Sequence, residues 1–472
     1  MSTEPTSYDM VPYPPMVFGY SHPDALALIA RLHGIPAPPA NDARVLHVGG
    51  GDGLDATAIA AAFPQADILN FDISREAIAR GRSLAERAGI ANVRHELIDI
   101  MDAADQIEGP FDYVVAHGVY AWVPDAVRAQ LMPMIARLLS PNGIAMVSYN
   151  TTPGGHSRTA LRDMLLHHVR DIASPRERLA AAHALLREFA VPKDNDQPIT
   201  AAMRKDAYAA LAQSDGVFFH DTFGASYAPQ ALLSVTADAA RNGLRYLGEP
   251  RGGAAEKGFV GESEAGISDA DLLDRLQARD YRTGSYFRAS LFVRAGTPFS
   301  RTIDPAPVRT MWATTAATAV DPTTFAIGAS TVTIADPARA DMMRRLIAAK
   351  PRFLPVAKLT SDRDLLITLA RYALDGLVRL RITPPPYIAE AGDRPTASAL
   401  ARLQAADGEE VVVALNHERG KIEDKALLRL LALLDGSRDR QGLHREWQAI
   451  AGGAIPLDQA LQILANNALL RA

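Results

Sequence analysis

An α/β fold built on a parallel, doubly wound sheet is predicted by three features of the chain. Short apolar runs alternate with helical stretches through the first third. Those runs stop at glycine or aspartate. The first run opens into a glycine-rich loop, Gly49-Gly50-Gly51-Asp52-Gly53.

The elements follow in order. Ser21-His22-Pro23-Asp24 starts a helix, with proline early, where its missing N–H costs nothing. That helix ends at Gly34, and Pro36, Pro38 and Pro39 form a linker. Arg44–Val48 is the first strand, and Ala56–Phe63 is an Ala-rich helix. Asp67–Phe71, ended by Asp72, is the second strand. Ser74 caps a helix over Arg75–Ala88 that Gly89 closes. Val93–Ile98 and Phe111–Ala116 are the third and fourth strands. Pro124–Leu139 is helical, Ser140-Pro141-Asn142-Gly143 is a turn, and Ile144–Tyr149 is the fifth strand. This spacing means βαβ units with right-handed crossovers.

The alternation then stops. Residues 157–214 carry Ala, Leu, Arg and His at helical spacing and read as a helical insertion. A helix over Pro229–Asn242 and strands Leu244–Leu247 and Tyr286–Val293 complete a seven-stranded sheet. The expected division is 1–156, the first part of the core; 157–214, the insertion and a dimerisation element; 215–297, the completion of the sheet; 298–386, a middle domain; and 387–472, a C-terminal domain. Two C-terminal stretches look alike. Thr333-Ile334-Ala335-Asp336 leads to Met342–Leu346, and Lys421-Ile422-Glu423-Asp424 leads to Leu427–Leu431. They suggest an α+β region of small repeated modules.

Composition narrows the function. The chain is 48% hydrophobic and 22% charged, enough to bury a core. A net charge of −5 argues against a general nucleic-acid binder. Cysteine is absent, which excludes disulfides, thiolate chemistry and cysteine-bound zinc. His167 and His168 read as a solvated helix face, and no metal site is expected. No Lys precedes Lys193, so none can act as a base in the first strands and loops. The N-terminus has no basic stretch before an apolar run, and no run is long enough for a span. A cytoplasmic protein without a membrane span is expected.

The chemistry gathers at strand ends. Glycines 49, 51 and 53 allow a sharp turn and let a ligand approach the backbone. Asp72 can accept from both ribose hydroxyls of an adenosine, and Asp99 from an adenine amino group. Ile73 and Ile100 would wall the base. Leu54 stands where dinucleotide binders have their third glycine, which sets a nicotinamide oxidoreductase aside. His117, Tyr120 and Trp122 follow the fourth strand, and Tyr149, Asn150 and His156 the fifth. His117 can contact a cofactor or act as a base. Tyr120 and Trp122 can wall an aliphatic or cationic side chain, and Tyr149 and Asn150 can orient an acceptor. Each has an ordinary structural alternative, and His220-Asp221 reads better as a turn or cap than as a catalytic pair.

With the glycine loop, Asp72 and Asp99 in place, the chain resembles class I S-adenosylmethionine-dependent methyltransferases, whose core is Rossmann-like. Ala116–Pro124, Val147–His156, Phe219-His220-Asp221 and Leu433–Asp439 resemble the members that carry a methyltransferase regulatory domain, among them bacterial protein-lysine methyltransferases. The resemblance implies S-adenosyl-L-methionine as cofactor, a protein substrate with lysine as acceptor, a homodimer and winged-helix-like C-terminal modules. It puts His47, Gly49, Gly51, Asp52, Gly53, Asp55, Asp72, Ile73, Asp99, Ile100 and His117 around the cofactor. His117, Tyr120, Trp122, Tyr149 and Asn150 fall around the reacting groups. The family usually has an acid where His47 stands, and Asp52 or Asp55 would replace it. Two alternatives stay open: a small-molecule O- or N-methyltransferase, and a cofactor-binding regulatory or scaffold protein without catalysis.

Overall fold

The computed structural model describes residues 6–250, 267–451 and 455–471. Part of the 215–297 region, and the first five residues read for a leader, lie outside these. The seven strands are β1 Arg44–Val48, β2 Asp67–Asp72, β3 Val93–Leu97, β4 Phe111–Ala116, β5 Leu139–Asn150, β6 Leu244–Gly248 and β7 Phe287–Arg294. They form one sheet in the order β3-β2-β1-β4-β5-β7-β6, with β7 antiparallel to both neighbours. Both faces are covered, so β1 and β4 are apolar almost throughout.

Helices α1 Ser7–Met10, α2 Pro23–Leu32, α3 Leu54–Ala62, α4 Arg75–Ala88, α5 Ile100–Gln106 and α6 Asp125–Leu138 come first. Helices α2, α3 and α4 pack one face, around Ile59, Ile68 and Tyr113. The other face carries α5 and α6, around Phe71, Phe111 and Met134. Local chemistry sets the ends. The Ser74 side chain accepts from Ala77 N–H, and Gly89 closes α4 in the left-handed region at φ 66°. The turn expected at Ser140–Gly143 is instead a bulged lead-in to β5. Phe111 pairs with Leu139 and Tyr113 with Ile144, so the intervening residues of β5 loop out, leaving Pro141 and Asn142 exposed.

Between β5 and β6 the insertion forms α7 Gly155–His168, α8 Pro175–Phe189, α9 Pro198–Leu211 and α10 Asp215–Phe223. It has its own core around Leu161, Leu165, Leu186 and Phe218. Phe218 brings α10 into that core, so the helical unit runs past the expected residue 214. Then follow α11 Leu232–Arg241, beneath β6, and α12 Asp269–Thr283, which no sequence expectation covered.

Two further cores lie beyond the sheet. The first gathers Met311, Phe325, Met343 and Leu369, with Leu28 and Leu32 of α2. It is built from β8 Trp312–Thr314, β9 Thr318–Ala319, β10 Thr324–Ile327, β11 Ser330–Thr333, α13 Pro337–Ala349, β12 Leu354–Pro355, α14 Val356–Leu359, α15 Arg363–Leu374 and β13 Arg379–Arg381. The second gathers Leu430, Leu431, Trp447 and Leu461. Its elements are α16 Ala399–Ala406, β14 Val411–Val413, β15 Arg419–Lys421, α17 Lys425–Leu433, α18 Arg440–Ala451 and α19 Leu457–Asn466. The two similar stretches share a local form. Hairpin β10–β11 leads into α13, capped by Asp336, and hairpin β14–β15 into α17, capped by Asp424. Among the described residues no helix is long and apolar enough to cross a membrane.

A buried ion cluster pins the antiparallel edge. Arg288 on β7 grips Asp280 of α12 through two hydrogen bonds, 2.7 and 2.9 Å, and donates to Glu249 at 3.0 Å. Arg288→Met would leave two carboxylates buried without their cation. A loss of about 3–5 kcal/mol is expected, read as the shift of the main urea unfolding transition.

Candidate active site

The loop after β1 is shaped by its glycines. Gly49, Gly51 and Gly53 have φ of 60°, 60° and 68°, where other residues are strained. A Cβ on Gly49 would stand 2.8 Å from Val119, while one on Gly51 would meet open space. Beneath the loop, Asn70 of β2 and His95 of β3 fill the room that side chains at Gly50 and Gly53 would need. The Asn70 amide donates to Gly51 O at 3.3 Å, and the His95 ring meets Asn70 at 3.2 Å and Thr57 Oγ1 at 3.3 Å. Sequence reasoning passed over these two residues. Asn70 had one signal, a polar side chain in the middle of an otherwise buried strand, while His95 had none, since β3 also carries Arg94 and Glu96.

Asp72 closes the loop. Gly51 N–H donates to its Oδ2 and Ser74 N–H to its Oδ1, each at 2.8 Å. Burial pushes its carboxyl pKa up, against the lowering pull of those N–H groups. The Ile73 N–H pulls in the same direction, which leaves the carboxylate room for one further donor. Asp99 caps α5 by accepting from Met101 N–H at 2.9 Å. Ile73 is exposed and Ile100 half-buried at the neighbouring strand ends. Because β3, β2 and β1 are neighbours, loop, Asp72 and Asp99 share one edge of the sheet. Asp52 sits in the loop, accepting from Leu54 N–H at 3.2 Å, and burial raises its pKa.

Asp55 has a different occupation from the expected one. Its Oδ1 accepts from Phe18 N–H at 2.9 Å and meets His417 Nε2 at 2.7 Å, while its Oδ2 accepts from Ser21 Oγ at 2.9 Å. Burial would raise its pKa, but His417, His47 and the Phe18 amide hold it well below the ordinary carboxylate range. So Asp55 ties segments of the protein together and is not turned to a ligand's amino group. His47 lies with Nδ1 3.6 Å from Asp55 Oδ2, and burial lowers its pKa.

The residues after β4 and β5 divide. The His117 Nδ1 and Ser148 Oγ are 2.8 Å apart, and Tyr20 OH is 3.3 Å from His117 Nε2. Phe18 lies 4.0 Å from the ring, and burial lowers the pKa to about 4. Asn150 lies on the same side of β5 as Ser148. Tyr120 and Tyr149, expected to face a substrate, do not. Tyr120 is buried in the core with its hydroxyl on Asp238 Oδ2 of α11, at 2.7 Å. Tyr149 is buried with its hydroxyl 3.0 Å from Ser290 Oγ, beside the Glu249 cluster. Tyr149 points into the face packed by α6 and α11 because alternate residues of a strand face opposite ways, and Tyr120, in the loop after β4, packs into the same core.

Trp122 does lie at an aromatic wall. Its ring lies tilted against Tyr227, 4.6 Å between centroids, and Arg158 of α7 stands 5.6 Å from Trp122 and 5.3 Å from Tyr286. Arg158 pairs with Asp221 at 3.1 Å. Asp221 and His220 lie inside α10, neither as a turn nor as a cap. His220 stacks on Tyr8 at 4.0 Å, and its Nε2 is 2.6 Å from Val11 O. Residues 6–20 form a strap from α4 to α10. At its α4 end, Asp9 Oδ1 accepts from Ser74 Oγ at 2.6 Å and Glu76 N–H at 3.1 Å, next to Asp72. The strap's tyrosines stand in an aperiodic run rich in proline, which offers no pattern from which to place them. His156, His167 and His168 are exposed on α7.

Residues 39–196 match the family model described as "Methyltransferase domain", and residues 393–471 match "PKMT, C-terminal winged helix domain". An uncharacterized protein of Rickettsia prowazekii (strain Madrid E) is 34% identical over 223 residues, covering 47% of this chain and 89% of that protein. A second one from the same strain is 29% identical over 304 residues; the match takes in 63% of this chain but 54% of that longer relative. The fold is that of PKMT2 from Rickettsia typhi, solved alone and in complex with AdoHcy. The free form has a TM-score of 0.81 at 22% identity, over 97% of this chain and 100% of PKMT2.

Two outcomes follow from the geometry. Gly50→Ala would press its methyl on Asn70 Oδ1 and distort the loop, and Asn70→Ala would make room for it. A double-mutant cycle read by urea unfolding is expected to show favourable coupling of about 0.5–3 kcal/mol. Burial also holds His95, near Arg82, at a pKa of about 4, as it does His117. Unfolded histidines titrate near about 6.5, so between those values the unfolded chain binds more protons. Stability is expected to fall as pH drops through that window and to be flat above it for these groups. Urea midpoints at about pH 7.5 and about pH 5 check this.

Proposed function

This chain belongs to the S-adenosylmethionine-dependent methyltransferases that carry a PKMT C-terminal winged helix domain, and from that premise we propose that it methylates a lysine side chain of a protein. In this reading the backbone of Gly49–Gly53 receives the cofactor, Asp72 accepts from the ribose hydroxyls, and Asp99 with Ile73 and Ile100 receives the adenine. The fit rests on the open space over Gly51 and on the acceptor direction left on Asp72. When bound, S-adenosylmethionine supplies a methyl group on a positively charged sulfur, already activated for displacement.

What remains for the protein is positioning and exclusion of water. The strap, fastened beside Asp72 and on α10, keeps bulk water from the ribose side. The wall of Trp122, Tyr227 and Tyr286 is the observation that carries the acceptor assignment. It already holds a cation, Arg158, at 5.6 and 5.3 Å from two of its rings. Such rings accommodate an aliphatic stem ending in positive charge.

The nucleophile must first lose a proton. A free lysine has a pKa of about 10.4. A desolvated aromatic wall disfavours the charged ammonium and so favours the neutral amine. His117, with its pKa near 4, is too weak a base to take that proton. It serves instead as a neutral hydrogen-bonding group between Ser148 and Tyr20.

Two measurements test the reading. Asp72→Ala should weaken S-adenosylhomocysteine binding by about 1–3 kcal/mol by calorimetry, the range for leaving polar groups unpaired. An unchanged constant would show the ribose lies elsewhere. Incubation with methyl-labelled cofactor and a cell lysate should put label on protein lysines. Label confined to small molecules would replace this proposal with a small-molecule methyltransferase.

A further inference from the structure

The hairpin loop between β14 and β15 belongs to the C-terminal domain, yet its tip is buried in the catalytic core. His417 at that tip is 4% exposed and has φ 63°, a left-handed conformation that is strained for any residue but glycine. Leu415, two residues earlier, joins the core beneath α3 and β1. The His417 Nε2 lies 2.7 Å from Asp55 Oδ1, across 362 residues of chain. Asp55 is in the first turn of α3, directly after Gly53.

We infer that His417 is a positioning residue for the cofactor, through which the winged-helix domain completes the seat at the end of β1. The inference rests on the methyltransferase reading above.

The chain of contacts is short. Asp55 Oδ2 lies 3.6 Å from His47 Nδ1, too long for a hydrogen bond but close enough to orient a ring. A carboxylate on that side favours the tautomer with its proton on Nδ1. Nε2 is then a lone-pair acceptor. That atom is buried and has no hydrogen-bond partner among the described residues. An acceptor at the tip of β1 is what the usual acid provides there, so oriented His47 can take from the cofactor's amino group. Without His417, Asp55 keeps the Phe18 N–H and the Ser21 hydroxyl, both from the segment before α2, but loses its tie to the C-terminal domain, and its hold on the His47 side loosens. The ring of His22 stands edge-on to His417 at 5.0 Å, and Arg419 of the same hairpin donates to Pro15 O of the strap at 3.2 Å. Strap, β1 tip and C-terminal domain therefore meet at one carboxylate.

The test uses the full chain and S-adenosylhomocysteine in calorimetry, so it does not depend on turnover. His417→Gly removes the ring while relieving the left-handed backbone. His417→Gln keeps an N–H donor near the Nε2 position. A Kd at least tenfold above wild type is expected for His417→Gly, and one within about threefold for His417→Gln. Glu418→Ala, which breaks exposed contacts with Arg379 of β13 and with Asn416, should leave Kd unchanged. If His417→Gly does not fold, Asp55→Asn, of equal shape without the charge, should show the tenfold loss. Wild-type affinity in either variant, with an unchanged far-UV spectrum, overturns the inference while the methyltransferase reading stands. A wild-type chain that binds nothing at millimolar ligand overturns both.

Discussion

The backbone turn at Gly49–Gly53 constrains everything near it. Three left-handed residues in five can be built cheaply only from glycine. A loop so free would not hold its shape alone, and the surrounding residues supply what it lacks. Asn70 and His95 fill the space beneath, and Asp72 takes the Gly51 N–H from the side. Gly81 lets α4 approach closely, since a Cβ there would strike Asp52 O and the His95 ring. The polar residues inside β2 and β3 are thus the cost of a rigid, side-chain-free loop. Each would be unfavourable in a plain apolar strand.

Much of this was legible from order along the chain. Strands ending in glycine or aspartate, the Ser74 cap and the Gly89 stop gave β1 to β4 and α4 nearly to the residue. The discontinuous sheet was legible too, because β6 and β7 keep their apolar runs on the far side of the insertion. What failed was direction. Tyr120 and Tyr149 lie at the right strand ends, but the sequence does not say to which face of the sheet a tyrosine turns. Each found a hydroxyl partner, Asp238 or Ser290, that only the packed fold brings near. Trp122 was assigned by the same logic and does lie on a half-buried aromatic wall, beside Tyr227 and Arg158.

Asp55 shows the other limit. A carboxylate just after a glycine loop suggests a ligand contact, since local spacing is all the sequence offers. Its actual partners come from residues 18, 21 and 417. No periodicity links a hairpin tip to a helix start hundreds of residues away. The one local hint, a histidine in the turn Asn416-His417-Glu418, is ordinary until its positive φ and burial are seen together.

The arrangement at Asp55 also bears on why a methyltransferase core is fused to so large a C-terminal half. A buried carboxylate with too few partners is costly, and its charge is stabilised here only when all its donors are in place. Phe18 N–H and Ser21 come from the strap, and His417 from the last domain. Lifting either segment exposes the same group to the same penalty, so the two dockings support each other. The strap also lies beside Asp72, through Asp9 and Ser74. The strap and the C-terminal domain therefore dock on one carboxylate and share one electrostatic term.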